Sequence, residues 1–143
     1  MKQKNLVIQN VYIKELNYKS GNTPNVFYQG LTLKPELKLN FTYSKIDEEL
    51  YEVVIMMNVD TLDQEGNAVN SIYTAQAGLF RISGFEAEEL EQILNINCPS
   101  ILFPYARQEI DNIVHYSGFP AFAIQPVSFY QIYENKKSET AKD

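Results

Sequence analysis

The 143-residue chain has one cysteine and one histidine, and those two counts remove whole classes of chemistry. A lone cysteine cannot form an internal disulfide and agrees with a reducing compartment. Zinc sites need several donors at fixed spacing, which one Cys and one His cannot supply, so no metal is expected. There is no G-x-x-x-x-G-K-[ST] loop, G-x-G-x-x-G turn, G-x-S-x-G elbow, C-x-x-C pair or H-E-x-x-H helix. Those are the patterns that cradle phosphates, expose nucleophiles or hold zinc, so no cofactor is implied. Basic charge is also short: 12 Lys and Arg against 18 Asp and Glu give a net charge of -6, the wrong sign for binding phosphate backbones. Nucleic acid is not an expected partner. An acidic surface instead steers toward basic partners and keeps a protein soluble while it exposes apolar patches. No apolar run approaches the ~20 residues that span a bilayer, and the start MKQKNLVIQN has no apolar stretch followed by a small-residue cleavage site. The expectation is a cytoplasmic protein without membrane insertion.

What the chain does have is 45% apolar and 21% charged residues, enough for one hydrophobic core in a single domain over 1–135. In LKPELKLNFTYS, Leu37, Leu39, Phe41 and Tyr43 alternate with Lys38, Asn40 and Thr42, the period-2 signature of a strand with one apolar face. ELYEVVIMMNVD continues with β-branched residues, and TLDQEGNAVN supplies the Asp, Gly and Asn of a turn. SIYTAQAGLFRIS reads as the next strand, ending near Gly84, and NLVIQNVYIKELNY as a first strand of looser alternation. Four strands joined mostly by short turns predict an antiparallel sheet.

After Gly84 the period changes. FEAEELEQILNIN sets Leu90, Ile93 and Leu94 at helical spacing. Its glutamates Glu86, Glu88, Glu89 and Glu91 crowd the first turns, where a helix N-terminus favours negative charge. They read as a solvated helix start rather than as paired catalytic carboxylates. ILFPYARQEIDNIVHYSG is a longer helix with Leu102, Ala106, Ile110, Ile113 and Val114 as its apolar stripe and Gly118 as its cap. Pro104 fits only in the first turn of such a helix. FPAFAIQP is a loop, VSFYQIYENKK a short final helix, and 136–143 a disordered polar tail. Strands first and helices second is the α+β pattern: a four-stranded antiparallel sheet with helices on one face.

The one conceivable nucleophilic pair is Cys98 with His115. They lie toward opposite ends of the long helix, roughly 20 Å or more apart at 1.5 Å per residue, so they cannot meet in one chain. Cys98 reads as a small buried residue and His115 as a helix-end residue that complements the dipole. The chain is not expected to be an enzyme.

One block is more specific than composition. NCPSILFPYARQEI, then GFPAFAI, then QPVSFYQIY, preceded by Gly78, Leu79 and Phe80, closely resembles the SecB family of protein-export chaperones. That family carries an N-C-P-x-x-L-F-P-Y-A-R-E-like block, a G-F-P loop and an A-P-V-x-F segment, with Gln125 here at the usual alanine. YIKELNYKSGNTPNVF, KPELKLNF and LYEVVIMMNV resemble its earlier segments, so the likeness covers roughly 6–133.

The resemblance implies an ATP-independent holdase for unfolded precursor polypeptides, assembled as a homotetramer that is a dimer of dimers. An extended client needs long apolar grooves without strict shape selection. Leu37, Leu39, Phe41, Pro104, Tyr105, Phe119, Pro120 and Phe122 are the candidate groove residues. Apolar residues on both faces of Val53–Met57 would set one face under the helices and the other against a partner. The family docks the SecA motor on an acidic outer sheet face. Glu15 keeps an acid there, but Lys19 replaces a Glu, and Ser71, Ile72 and Tyr73 replace an L-x-E pattern. SecA docking is therefore in question. Two alternatives stay open: a dedicated chaperone for a client such as an antitoxin, and a tetrameric interaction or ligand-binding module without holdase activity.

Overall fold

The computed structural model describes residues 3–142, with side chains through 139. The strands are β1 (Asn5–Ser20), β2 (Lys34–Asp47), β3 (Leu50–Leu62) and β4 (Ala68–Ser83), with a 3-10 turn at Asn25–Phe27 between the first two. They form one antiparallel sheet in the order β1-β4-β3-β2. The loose alternation of β1 has a physical cause. Its register against β4 slips between Ile8 and Asn10 and again between Ile13 and Glu15. Each bulge inserts one residue and resets which side chains face the core. Beside the second bulge, buried Gln76 donates its Nε2 to the Tyr12 carbonyl (3.0 Å). The β3–β4 turn is closed by Asp63, whose Oδ1 accepts the backbone N–H groups of Glu65 and Asn67, each at 2.9 Å.

The helical half begins with α1 (Ala87–Gln92), passes through a π-helical turn (Ile93–Asn97) and continues as α2 (Cys98–Ser117); α3 (Phe129–Lys142) ends the chain. The long helix therefore starts at Cys98, not at Ile101, and Pro104 lies in its interior, where the carbonyl of Ser100 loses its usual donor. The proline is tolerated because it faces solvent. The last helix also runs further than its sequence predicts: 136–142 is helical rather than a disordered tail. Lys136 stands over the Phe41 ring at 5.0 Å and Lys137 over Tyr133 at 5.1 Å, so the basic stems cover apolar surface. Asp143 lies outside the described residues.

The core sits between α2 and the central strands. Val53, Ile55, Met57 and Val59 of β3 are each 0% exposed, and Leu102, Ala106, Ile110 and Val114 of α2 are buried with them. Gly78 makes the close seating possible: a Cβ there would lie 2.6 Å from the Phe80 ring and 2.9 Å from Leu102 Cδ2. On the outer face, Val54, Ala75 and Ala77 are buried under their own neighbours Tyr12, Met56 and Tyr73. On β1, Val7, Ile8, Ile13 and Leu16 are each 40–45% exposed.

Candidate functional site

Gly118 ends α2 in the left-handed conformation (φ 83), and from there to Ser128 the chain has no regular secondary structure. Pro120 and Pro126 interrupt any hydrogen-bonded ladder, so this segment crosses to α3 as a strap alongside β2 and the end of α2. Phe119 and Ile124 are buried pins, whereas Phe122 and Val127 are half-buried. Strap and sheet do not close completely. One cavity of about 140 Å³ is lined by Leu33, Pro35, Thr61, Asn70 and Val114 together with Phe119–Phe122. A second, of about 260 Å³, is lined by Pro35, Leu37, Val59, Phe122, Ile124 and Val127 among others. The two share Pro35 and Phe122, which makes them one apolar cleft along the amino-terminal half of β2.

The predicted groove residues divide. Leu37, Phe119, Pro120 and Phe122 line this cleft. Phe119 is only 8% exposed and packs on Phe27 with ring centroids 5.2 Å apart, so it forms wall rather than open surface. Leu39 is half-buried against the core. Phe41 is buried under α3, 5.8 Å from the Phe129 ring. Pro104 and Tyr105 face solvent on α2 and line neither cavity. Sequence reasoning missed Leu33 and Pro35, although extending the alternation of Leu37 backward two steps reaches both. It had no signal for Thr61 and Asn70. They join the site through cross-strand register, Pro35 opposite Thr61 and Thr61 opposite Asn70.

Of the residues discussed for motor docking, Glu15, Lys19, Ser71 and Tyr73 share the outer sheet face, whereas Ile72 points the other way and is buried in the core. Lys19 pairs with Ser71 in register, Asn17 with Tyr73, and Glu15 with Ala75. Glu15 and Lys19 are exposed. Nearby, the Tyr12 hydroxyl donates to the Glu52 carboxylate, and Lys14 Nζ reaches the other Glu52 oxygen at 3.1 Å. The Tyr12 bond, helped by Lys14, holds Glu52 below its ordinary pKa. Burial, then the Glu52 carboxylate, pushes Tyr12 up to about 12.

Cys98 is 0% exposed, and burial pushes its thiol up to about 12, far from the thiolate that a nucleophile needs. His115 is exposed in the last turn of the same continuous helix, roughly 25 Å away. The geometry does not bring the pair together. Among the described residues, no cluster of His, Cys, Asp and Glu could hold a metal ion, and no helix is long and apolar enough to cross a membrane.

A family model described as preprotein translocase subunit SecB matches residues 1–140. The chain belongs to the SecB family. Protein-export protein SecB of Chromohalobacter salexigens is 38% identical over 136 residues, covering 94% of this chain and 83% of the relative. The protein of that name from Legionella pneumophila is 39% identical over 142 residues, covering 96% and 87%. Among solved structures, a SecB-like chaperone of Mycobacterium tuberculosis, in complex with a ChAD peptide from the HigA1 antitoxin, aligns with a TM-score of 0.65. It is 18% identical, with 86% of this chain and 91% of that one covered, a likeness of fold. The SecB fold accounts for the α+β order read from the sequence, four antiparallel strands and then the helices.

Proposed function

We propose that this protein is a cytoplasmic, ATP-independent holdase that keeps unfolded precursor polypeptides from aggregating and works as a homotetramer, a dimer of dimers. The observation that carries the reading is the apolar cleft beside β2, in a chain of the SecB family. Its walls present Leu37, Pro120 and Phe122 to an extended segment, and the prolines of the strap leave no strict shape to match. Leu39, Pro104 and Tyr105 extend the client surface beyond the cleft, with Phe41 and Phe119 as its supporting wall. Oligomerisation is supported by β1, an edge strand carrying the exposed side chains Ile8, Ile13 and Leu16. On a lone subunit such a strand is an aggregation liability, and a second copy would cover it.

Diluting a chemically denatured export precursor into buffer without ATP, with and without this protein, tests the reading by light scattering. Scattering suppressed at stoichiometric tetramer is the expected result. Unchanged aggregation in the presence of folded tetramer overturns it.

A second reading is a dedicated chaperone, for example for an antitoxin. The observation in its favour is the outer face, where Glu15 stands beside Lys19, Ser71 and Tyr73 rather than in an acidic row. We infer that SecA binds this face weakly or not at all. Co-sedimentation with SecA checks this, and micromolar binding abolished by Glu15→Lys would overturn it.

A further inference from the structure

The smaller cavity has a polar floor that an apolar client groove does not need. Pro35, Thr61 and Asn70 form one row across β2, β3 and β4, under the wall made by Val114 and Phe119–Phe122. Asn70 is 4% exposed and its Oδ1 has no hydrogen-bond partner in the protein. A buried carboxamide oxygen without a donor is a standing cost, and a purely apolar occupant leaves that cost in place. An occupant with an apolar body and a donor at its tip removes it. Tyrosine supplies both, a ring for the apolar walls of the cavity and a hydroxyl that donates.

We propose that Asn70 makes this pocket selective for client tyrosine over client phenylalanine, with the phenol donating to the Asn70 carboxamide oxygen. This rests on the holdase reading and adds a side-chain preference to it. In the empty cleft Oδ1 is closed off from solvent, so the phenol reaches it only once the side chains around Asn70 shift. The wall can yield because the strap has no ladder or helix to break, and Pro120 and Ala121 already face solvent. Selectivity comes from the gain alone: Oδ1 is already unpaired in the empty pocket, so phenylalanine leaves its cost unchanged and tyrosine removes it.

The test uses three fluorescent peptides of one apolar sequence carrying Tyr, Phe or O-methyltyrosine at a single position, titrated into the full-length protein. The expected result is Tyr binding about tenfold tighter than Phe, with O-methyltyrosine no better than Phe, because it keeps the oxygen and loses the donor. In Asn70→Leu, and in Asn70→Ala as a second variant, the Tyr and Phe peptides should bind equally. Equal binding of Tyr and Phe to the wild-type protein overturns the proposal, as does a Tyr preference that survives in a folded Asn70 variant. Failure of all three peptides to bind overturns it too. Aggregation suppression of a denatured precursor, run alongside, separates the two claims: if suppression persists, only the tyrosine preference falls, and if it is absent, the holdase reading falls as well.

Discussion

Under α2, the β3 residues Val53, Ile55 and Met57 lose all contact with solvent. One strand away on the same face, Pro35 and Leu37 line an open cleft. Both places are built from aliphatic and aromatic residues, so hydrophobicity does not separate them. The covering element does. A helix repeats its stripe every three or four residues and can mesh with alternate rows of a sheet, which reaches crystal-like packing density. The strap from Gly118 to Ser128 has no repeat, and with Pro120 and Pro126 it can neither form a ladder nor coil. It touches down at Phe119 and Ile124 and arches between them.

Substitutions on the meshed side should therefore cost stability, and those on the arched side should cost binding. The largest effect is expected for Leu102→Ala, which opens a cavity at a 0% exposed position and should destabilise by about 2–5 kcal/mol. Urea unfolding followed by circular dichroism measures it, and a loss under about 1 kcal/mol would mean the helix is not meshed as described. Next is Gly78→Ala. Its methyl group would lie 2.6 Å from Phe80 and 2.9 Å from Leu102, an overpacking expected to cost about 1–3 kcal/mol. The double variant Gly78→Ala, Leu102→Ala should lose less than the sum of the two, because the second change removes one of the clashing atoms. On the arched side, Phe122→Ala removes the one aromatic ring that both cavities share. It should lower stability by only about 1 kcal/mol while weakening client binding severalfold in a peptide titration. A variant that unfolds readily yet binds normally would erase the distinction between the two sides.

Much of the meshed side was legible in the sequence; on the arched side Leu37, Phe119, Pro120 and Phe122 were named, but Leu33, Pro35, Thr61 and Asn70 were not. Leu37, Leu39 and Phe41 announced their strand by alternation, and Leu102, Ala106, Ile110 and Val114 their helix by spacing, because a regular element writes its period into the side chains it buries. The same alternation did not reveal that Phe41 would be covered. That depends on α3 returning over β2, where Phe129 and Lys136 meet the ring, a contact between segments far apart in sequence. Thr61 and Asn70 were illegible for a related reason. They flank a turn and look like turn residues, and only strand register sets them in the floor of a pocket. The bulges in β1 blurred its period twice, which made the exposed stripe of Ile8, Ile13 and Leu16 hard to assign to a face before the pairing with β4 was known.

The outer face of the sheet offers the smallest and most specific contrast with the helix side, because its order depends on charge. Glu52 accepts the Tyr12 hydroxyl and pairs with Lys14 at 3.1 Å, and its pKa is lowered by the Tyr12 bond and by Lys14. A carboxylate with a lowered folded pKa contributes stability that is fully present above its unfolded value of about 4.3. That contribution is lost as pH falls through the folded value. Tyr12 has the opposite sign: raised to about 12, it contributes fully below about 10 and loses that contribution as pH climbs through its folded value. Glu52→Gln should therefore leave stability near neutral pH slightly reduced and flatten its fall below about pH 4.3. Tyr12→Phe should also remove part of the alkaline loss. Thermal unfolding of the three proteins from pH 3 to pH 11 reads both limbs. Parallel curves at both ends would mean that the outer face is held by Val54, Ala75 and Ala77 alone, packed as the helix side is, with no contribution from Glu52 or Tyr12.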